Sequence, residues 1–216
     1  MPRVKSERKV ARRAQIIAAA RTCFARTGFD KTTLQDVFAQ AGLSAGCIYN
    51  YFNSKDQLML AVAQERHEDE LRMIGERLET KDPINDLRQL AKKFTDEYLT
   101  PESADKRRIA LQTWAEALVN PSILTSVQEG LEQPRAHLAQ LIRRAQAANR
   151  ITSKLDSDAI ALTLIALLHG SMLQKLWTPD TDSSAQSAVL EHFLQALESK
   201  RVGPRRRVSA RGGRRR

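Results

Sequence analysis

From about residue 8 to residue 27, apolar positions recur at spacings of three and four: Ile16, Ala20, Cys23, Phe24 and Thr27. That spacing lays one stripe along a helix and predicts a single buried face. Gly28 follows where a helix end favours a residue free to adopt positive φ. A short helix is predicted next. Thr33 and Asp36 have capping-box spacing, Leu34, Val37, Phe38 and Ala41 supply an apolar face, and Gly42 ends it. Ser44 offers another N-cap, with Ile48, Tyr51 and Phe52 on the inner side of a third helix that breaks at Asn53. Ser54 and Gln57 open a long helix from 55 to about 79 or 80. Asp82-Pro83, Thr100-Pro101 and Asn120-Pro121 then punctuate helices over 83–99, from 103 or 105 to 119, and over 121–148, the last with Pro134 as a point of disturbance. After a loop over 149–155, a strongly apolar helix spans 156–177, closed by Thr178-Pro179. A last helix runs from Ser183 or Ser184 to Lys200.

The pattern therefore predicts an all-α chain of about nine helices. It has an N-terminal three-helix helix-turn-helix head and a C-terminal helical bundle. The expected division is 1–54 for the head, 55–202 for the bundle and 203–216 for a disordered Arg-rich tail. With 216 residues, 42% hydrophobic and 28% charged, the chain has enough apolar content for a real core. No run of 18 or more consecutive apolar residues occurs, so no membrane-spanning helix is expected. The first residues lack the apolar core of a signal peptide, so a cytoplasmic location is expected.

Charge changes this picture most. The net charge of +10 is concentrated at the two ends: Arg3, Lys5, Arg8, Lys9, Arg12 and Arg13 near the start, and seven arginines with no acid in 203–216. Basic segments suit nucleic-acid phosphates, because each neutralised phosphate releases condensed counterions. They equally suit simple solubility or nonspecific binding. An enzyme is not indicated. The histidines His67, His137, His169 and His192 are widely separated, and neither HExxH spacing nor a glycine-rich phosphate loop is present. No cofactor and no metal site are expected. Cys23 and Cys47 fit neither a disulfide framework nor a zinc pattern, and are read as reduced packing or contact residues.

The turn Ala41-Gly42-Leu43 between two short helices fits a helix-turn-helix. Around it stand Ala19-Ala20, Phe24, Gly28-Phe29, Thr32-Thr33, Asp36-Val37, Ala41-Gly42-Leu43-Ser44, Gly46, Ile48-Tyr49, Tyr51-Phe52, Ser54-Lys55 and Leu58. In order and spacing these resemble the N-terminal pattern of the TetR family of bacterial repressors over about 45 residues. Phe38 departs from it, standing where the family usually has alanine in the close contact between the motif's helices. The resemblance implies a DNA-binding head in which Thr33, Ser44, Tyr49 and Lys55 contact phosphates. Gln35, Ala45, Gly46, Cys47, Asn50 and Tyr51 are the candidates for base reading. Asn and Gln can pair with adenine, and an alanine or cysteine surface can meet a thymine methyl. The front of the recognition helix is small and uncharged, so DNA shape and phosphate contacts are expected to carry much of the specificity. Oxidation of Cys47 is a second, less favoured role for that residue.

For the bundle, the resemblance implies a homodimer through the last two helices and a small-molecule effector pocket. Candidate lining residues are Met73, Phe94, Tyr98, Trp114, His169, Met172 and Trp177, each of which also suits an ordinary core position. The expected function is that of a regulator, usually a repressor, released from a pseudo-palindromic operator in double-stranded DNA by its effector. The competing reading is an architectural nucleic-acid binder that uses its basic ends.

Overall fold

A computed structural model describes residues 2–75 and 82–198, with the side chains of 2–6 and 73–75 outside that description. The Arg-rich tail, the expected end of the fourth helix beyond residue 75 and the Met73 side chain therefore lie outside the described residues. The described chain forms helices α1 (Pro2–Thr27), α2 (Leu34–Ala41), α3 (Ala45–Tyr49), α4 (Lys55–Gly75), α5 (Pro83–Tyr98), α6 (Ala104–Ala117), α7 (Pro121–Ala147), α8 (Ser157–Trp177) and α9 (Ser183–Leu197). A single 3₁₀ turn, Pro101–Ser103, precedes α6.

Local chemistry accounts for most of the boundaries. The Asp36 amide donates to Thr33 Oγ1 at 3.2 Å and the Thr33 amide donates to Asp36 Oδ2 at 2.8 Å, which completes the capping box of α2. These bonds hold the Asp36 carboxyl below its ordinary pKa. Gly42, at φ 64°, ends α2 in the left-handed region that a residue with a Cβ resists. Asp82 and Asn120 cap α5 and α7, each followed by a proline in the first turn.

Three details add to the sequence reading. α9 begins at Ser183, as expected, and is capped by Asp182, whose carboxylate accepts from the Ser184 amide at 2.8 Å. Ser103 stands at the N-cap of α6 without a side-chain cap bond, because its hydroxyl donates to the Glu97 carbonyl at 2.6 Å. Pro134 does not interrupt α7, which continues through it to Ala147.

The helices share interlocking apolar clusters. α1 packs on α2, α4 and α6, while α4 and α8 both pack on α7. The first cluster joins Ile16, Phe24, Val37, Ile48 and Leu58 of the N-terminal helices to Ile109, Ile123 and Val127 of α6 and α7. The expected break at residue 54 is thus crossed by continuous core. A second cluster gathers Ile84, Leu138, Ile142 and Ile160, and a third gathers Phe94, Tyr98, Ala110 and Met172.

Two close approaches fix the bundle. At Gly130 of α7 a Cβ would stand 2.1 Å from the His67 ring, so only glycine lets α4 lay that imidazole against α7. Arg107 is 2% exposed and donates through Nη1 to the carbonyls of Tyr98 (2.6 Å) and Thr100 (2.8 Å). It thereby satisfies backbone acceptors at the end of α5 that would otherwise be buried without a partner. By length and composition α8 could cross a membrane, with a mean hydropathy of 1.5. One face of it packs against α6 and α7.

Candidate nucleic-acid interface and interior cavity

The short helix α3 divides cleanly into two sides. Ile48 is fully buried and Phe52, just beyond the helix, nearly so, anchoring the segment to α1 and α4. Ser44, Ala45, Gly46, Tyr49 and Asn50 are exposed, and Cys47 and Tyr51 are half-buried. Ser44 Oγ accepts the Cys47 amide at 3.4 Å and sets the N-terminus of the helix. A Cβ added at Gly46 would meet nothing, so packing within the chain does not require glycine there.

Phe38 is accommodated by an edge-on contact with Tyr49, ring centroids 5.5 Å apart and planes at 74°. The larger side chain braces the phenol of Tyr49 while leaving Tyr49 47% exposed. Thr33 and Gln35, at the start of α2, are exposed on the same head.

The basic start of α1 lies beside this surface. Arg8, Lys9 and Arg12 border a shallow cleft whose other side includes Cys47 and Tyr51. Gln15 locks α1 to the turn of the motif by donating to the Ala41 carbonyl at 2.8 Å. An uncharged helix face flanked by cations can enter a groove while its neighbours meet phosphates.

Lys55 has a further task in the structure. Its ammonium donates to the carbonyls of Phe29 (2.7 Å) and Asp30 (3.1 Å) and lies 4.5 Å from the Phe29 ring centroid. It clamps the α1–α2 turn to the start of α4.

In the body, a cavity of about 60 Å³ lies among α4, α5, α7 and α8, with Glu70, Phe94, Leu168 and His169 in its wall. A polar cluster adjoins it. Arg66 donates through Nη1 to Glu70 Oε1 at 2.5 Å, and Tyr98 donates its hydroxyl to the same oxygen at 2.9 Å. Burial, with Glu70 next in importance, raises the Tyr98 phenol above its ordinary pKa and keeps it a donor. Arg66 Nη2 lies 2.9 Å from His67 Nε2, and the His169 ring sits 4.6 Å from that of Trp114. Burial, assisted by the charge of Arg66, pushes both His67 and His169 down to about 4, so both are neutral near pH 7. Among the described residues no group of three metal-ligating side chains is present.

Two family descriptions cover almost all of this architecture. Residues 16–62 match bacterial regulatory proteins of the tetR family, and residues 85–198 match the C-terminal region of BetI-type transcriptional repressors. The chain belongs to the TetR family. It is 29% identical over 191 residues to the HTH-type transcriptional repressor Rv1474c of Mycobacterium tuberculosis, covering 88% of this chain and 95% of that one. It is 30% identical over 183 residues to the HTH-type transcriptional regulator TtgR of Pseudomonas putida, covering 78% and 82%. In fold it is similar to a transcriptional regulator from Saccharomonospora viridis solved with choline, at TM-score 0.77 and 23% identity, covering 88% and 98%. The protein is accordingly an all-α, helix-turn-helix, DNA-binding transcriptional regulator, and its relatives are regulators, not enzymes.

Within this TetR-family chain nine of the ten residues expected at DNA fall on the head, and Lys55 opens α4 directly after it. Eight are on or beside the exposed surface, Tyr51 is shared with the core, and Lys55 is committed to the turn. The seven expected at the effector separate more widely. Phe94 and His169 line the cavity, and Tyr98 and Trp114 belong to the adjoining cluster. Met172 is packed in the third apolar cluster. Trp177 is 72% exposed at the end of α8, outside the cavity wall. Sequence reasoning missed Arg66 and Glu70. Their i,i+4 spacing is visible, but on a helix rich in charge it reads as an ordinary surface pair.

Proposed function

We propose that the protein acts as a homodimeric repressor that leaves a pseudo-palindromic operator when a small molecule enters its body. The observation carrying this reading is the outward face of α3, small and uncharged, beside the basic cleft of α1. In this reading Ala45, Gly46, Cys47, Asn50 and Tyr51 approach base edges with Gln35, while Thr33, Ser44, Tyr49 and the third N–H of Lys55 meet phosphates. The head comprises 1–54 and the effector and dimerisation body 55–202, in the cytoplasm. Dimerisation is supported by exposed apolar side chains on the last two helices, Leu162 and Leu167 on α8 with Val189 and Phe193 on α9. A second copy packed there buries both faces by twofold symmetry and sets two recognition helices for successive major grooves. The choline held by the S. viridis regulator supports a small organic effector for a body of this shape. An effector lowers DNA affinity only by the difference between its affinities for the bound and released conformations.

Selection of genomic fragments by the purified protein at moderate salt tests the reading. One enriched inverted repeat is expected. Uniform enrichment without a motif favours the competing reading, a nonspecific binder driven by the arginines of 203–216. Deletion of 203–216 should reduce the salt dependence of DNA binding if those arginines contact phosphates.

A further inference from the structure

We infer that the interior cavity and the Arg66 cluster form one ligand site, and that its ligand is a mainly apolar small molecule ending in a hydrogen-bond-accepting oxygen. The inference rests on the effector reading above and names the chemistry of that effector. Among the described residues, two buried donors have no acceptor: Arg66 Nε, on a side chain only 9% exposed, and Trp114 Nε1. Both groups can only donate, so only an acceptor satisfies them. They stand close together, with the Arg66 guanidinium carbon 5.9 Å from the Trp114 ring centroid.

The cluster and the cavity share two residues. Glu70 is bonded to Arg66 and lines the cavity, while His169 stacks on Trp114 and lines it as well. The rest of the wall is apolar, including Leu90, Phe94, Leu138, Ile165 and Leu168. Such a site takes a hydrocarbon body from the cavity side and a polar end from the cluster side.

The sign of the polar end follows from its neighbours. Glu70 would attract a cation, but its Oε1 already accepts from Arg66 and Tyr98. An ammonium would also stand beside the Arg66 guanidinium and could donate to neither orphan donor. A carbonyl or carboxylate oxygen can accept from both orphan donors, with the Arg66 guanidinium beside it. The present volume of about 60 Å³ is well below the roughly 300–1,000 Å³ of ordinary ligand pockets. Binding therefore moves the His169 ring off Trp114 and widens the space between α4 and α8. Arg66 and Glu70 lie on α4, whose first residue clamps the head, so the widening acts on the helix that joins body to head.

The test uses the full chain carrying Trp177→Phe, which leaves Trp114 as its sole tryptophan. Three probes share one six-carbon body: hexanoate, hexanamide and hexyltrimethylammonium. Saturable changes in Trp114 emission are expected from the first two, with the ammonium at least about tenfold weaker. In the parent chain, followed by calorimetry, Trp114→Phe and Arg66→Lys should each weaken hexanamide binding about tenfold, the scale of one buried hydrogen bond. Unchanged melting temperatures would show that both variants fold. Equal or tighter binding of the ammonium, no change in Trp114 emission with any probe, or unaltered hexanamide affinity in both folded variants would overturn the inference. Operator binding is measured on the same samples. A chain that binds an operator but takes no probe refutes the ligand class and leaves the regulator reading standing. A chain that takes the probe but selects no operator does the reverse.

Discussion

The head and the body of this regulator are held together by different means. In the head, boundaries come from side chains three or four residues from the groups they satisfy: Thr33 with Asp36, Ser44 with Cys47, Ser54 with Gln57. In the body the decisive contacts join distant positions. The His67 ring lies against Gly130, and Arg88 is paired with Glu191 and Glu198. Local caps specify where helices begin, whereas close packing specifies how long helices cross. The head can therefore present a nearly blank outer face, because its outer residues contribute little to its stability. The body has polar groups inside, and several of them, such as Arg107 and Tyr98, are held by specific partners.

That contrast can be broken at its strongest point in the body. Arg107→Met leaves the carbonyls of Tyr98 and Thr100 without their buried donor and should cost about 3 kcal/mol of unfolding free energy by urea titration. A loss below about 1 kcal/mol would mean that the end of α5 finds other partners. The head should respond in the opposite way. Gly46→Glu enters open space, so the melting temperature should hold, while a carboxylate facing phosphates should weaken operator binding at least about a hundredfold. Retained affinity in a titration with the selected operator would remove α3 from the interface.

The two buried histidines sharpen the comparison through pH. Their folded pKa of about 4 lies below the ordinary value of 6.5, so below 6.5 the unfolded chain takes up protons that the folded chain does not. Stability is complete above 6.5 and falls as pH drops toward 4. Between pH 7.5 and 5.5 the expected loss is about 1 kcal/mol per histidine. Asp36, Asp82 and Asp182 have pKa values lowered below the ordinary 3.8, so their contributions disappear only in stronger acid. Denaturant midpoints at the two pH values should therefore differ for the parent and differ less for His169→Gln. An unchanged difference would place the pH dependence elsewhere. The smallest effect belongs to the head: Thr33→Ala should cost about 1 kcal/mol through loss of the cap, with Thr33→Ser restoring most of it. Equal melting temperatures for the alanine and serine variants would show that the hydroxyl contributes nothing.

Legibility followed the same division. The spacing of Gly28, Thr33, Gly42 and Ser44 was sufficient to place α2 and α3, since each acts on its own turn. The start of α9 at Ser183 was legible as well, whereas its cap was not named, since Asp182 and Ser184 offer similar chemistry two residues apart and only the backbone path chooses between them. Lys55 was expected at a phosphate, and nothing in its neighbours announces that the carbonyls of Phe29 and Asp30 also lie within its reach. Trp177 looked like a pocket residue because an aromatic on an apolar helix usually packs, but helix rotation and length put it at an exposed end.

By itself the sequence determined the helices, their caps, the helix-turn-helix and the concentration of positive charge at the two ends. All of these depend on neighbours along the chain, whose separations are set by covalent geometry and helical period. Only the tertiary structure decided that the core runs across the boundary between head and body, and that Phe38 braces Tyr49. It alone placed Arg66 and Trp114 together with unmet donors beside a small cavity. Those relations depend on how α4, α6, α7 and α8 cross. Crossing is settled by the summed fit of many side chains, and no local spacing records that sum.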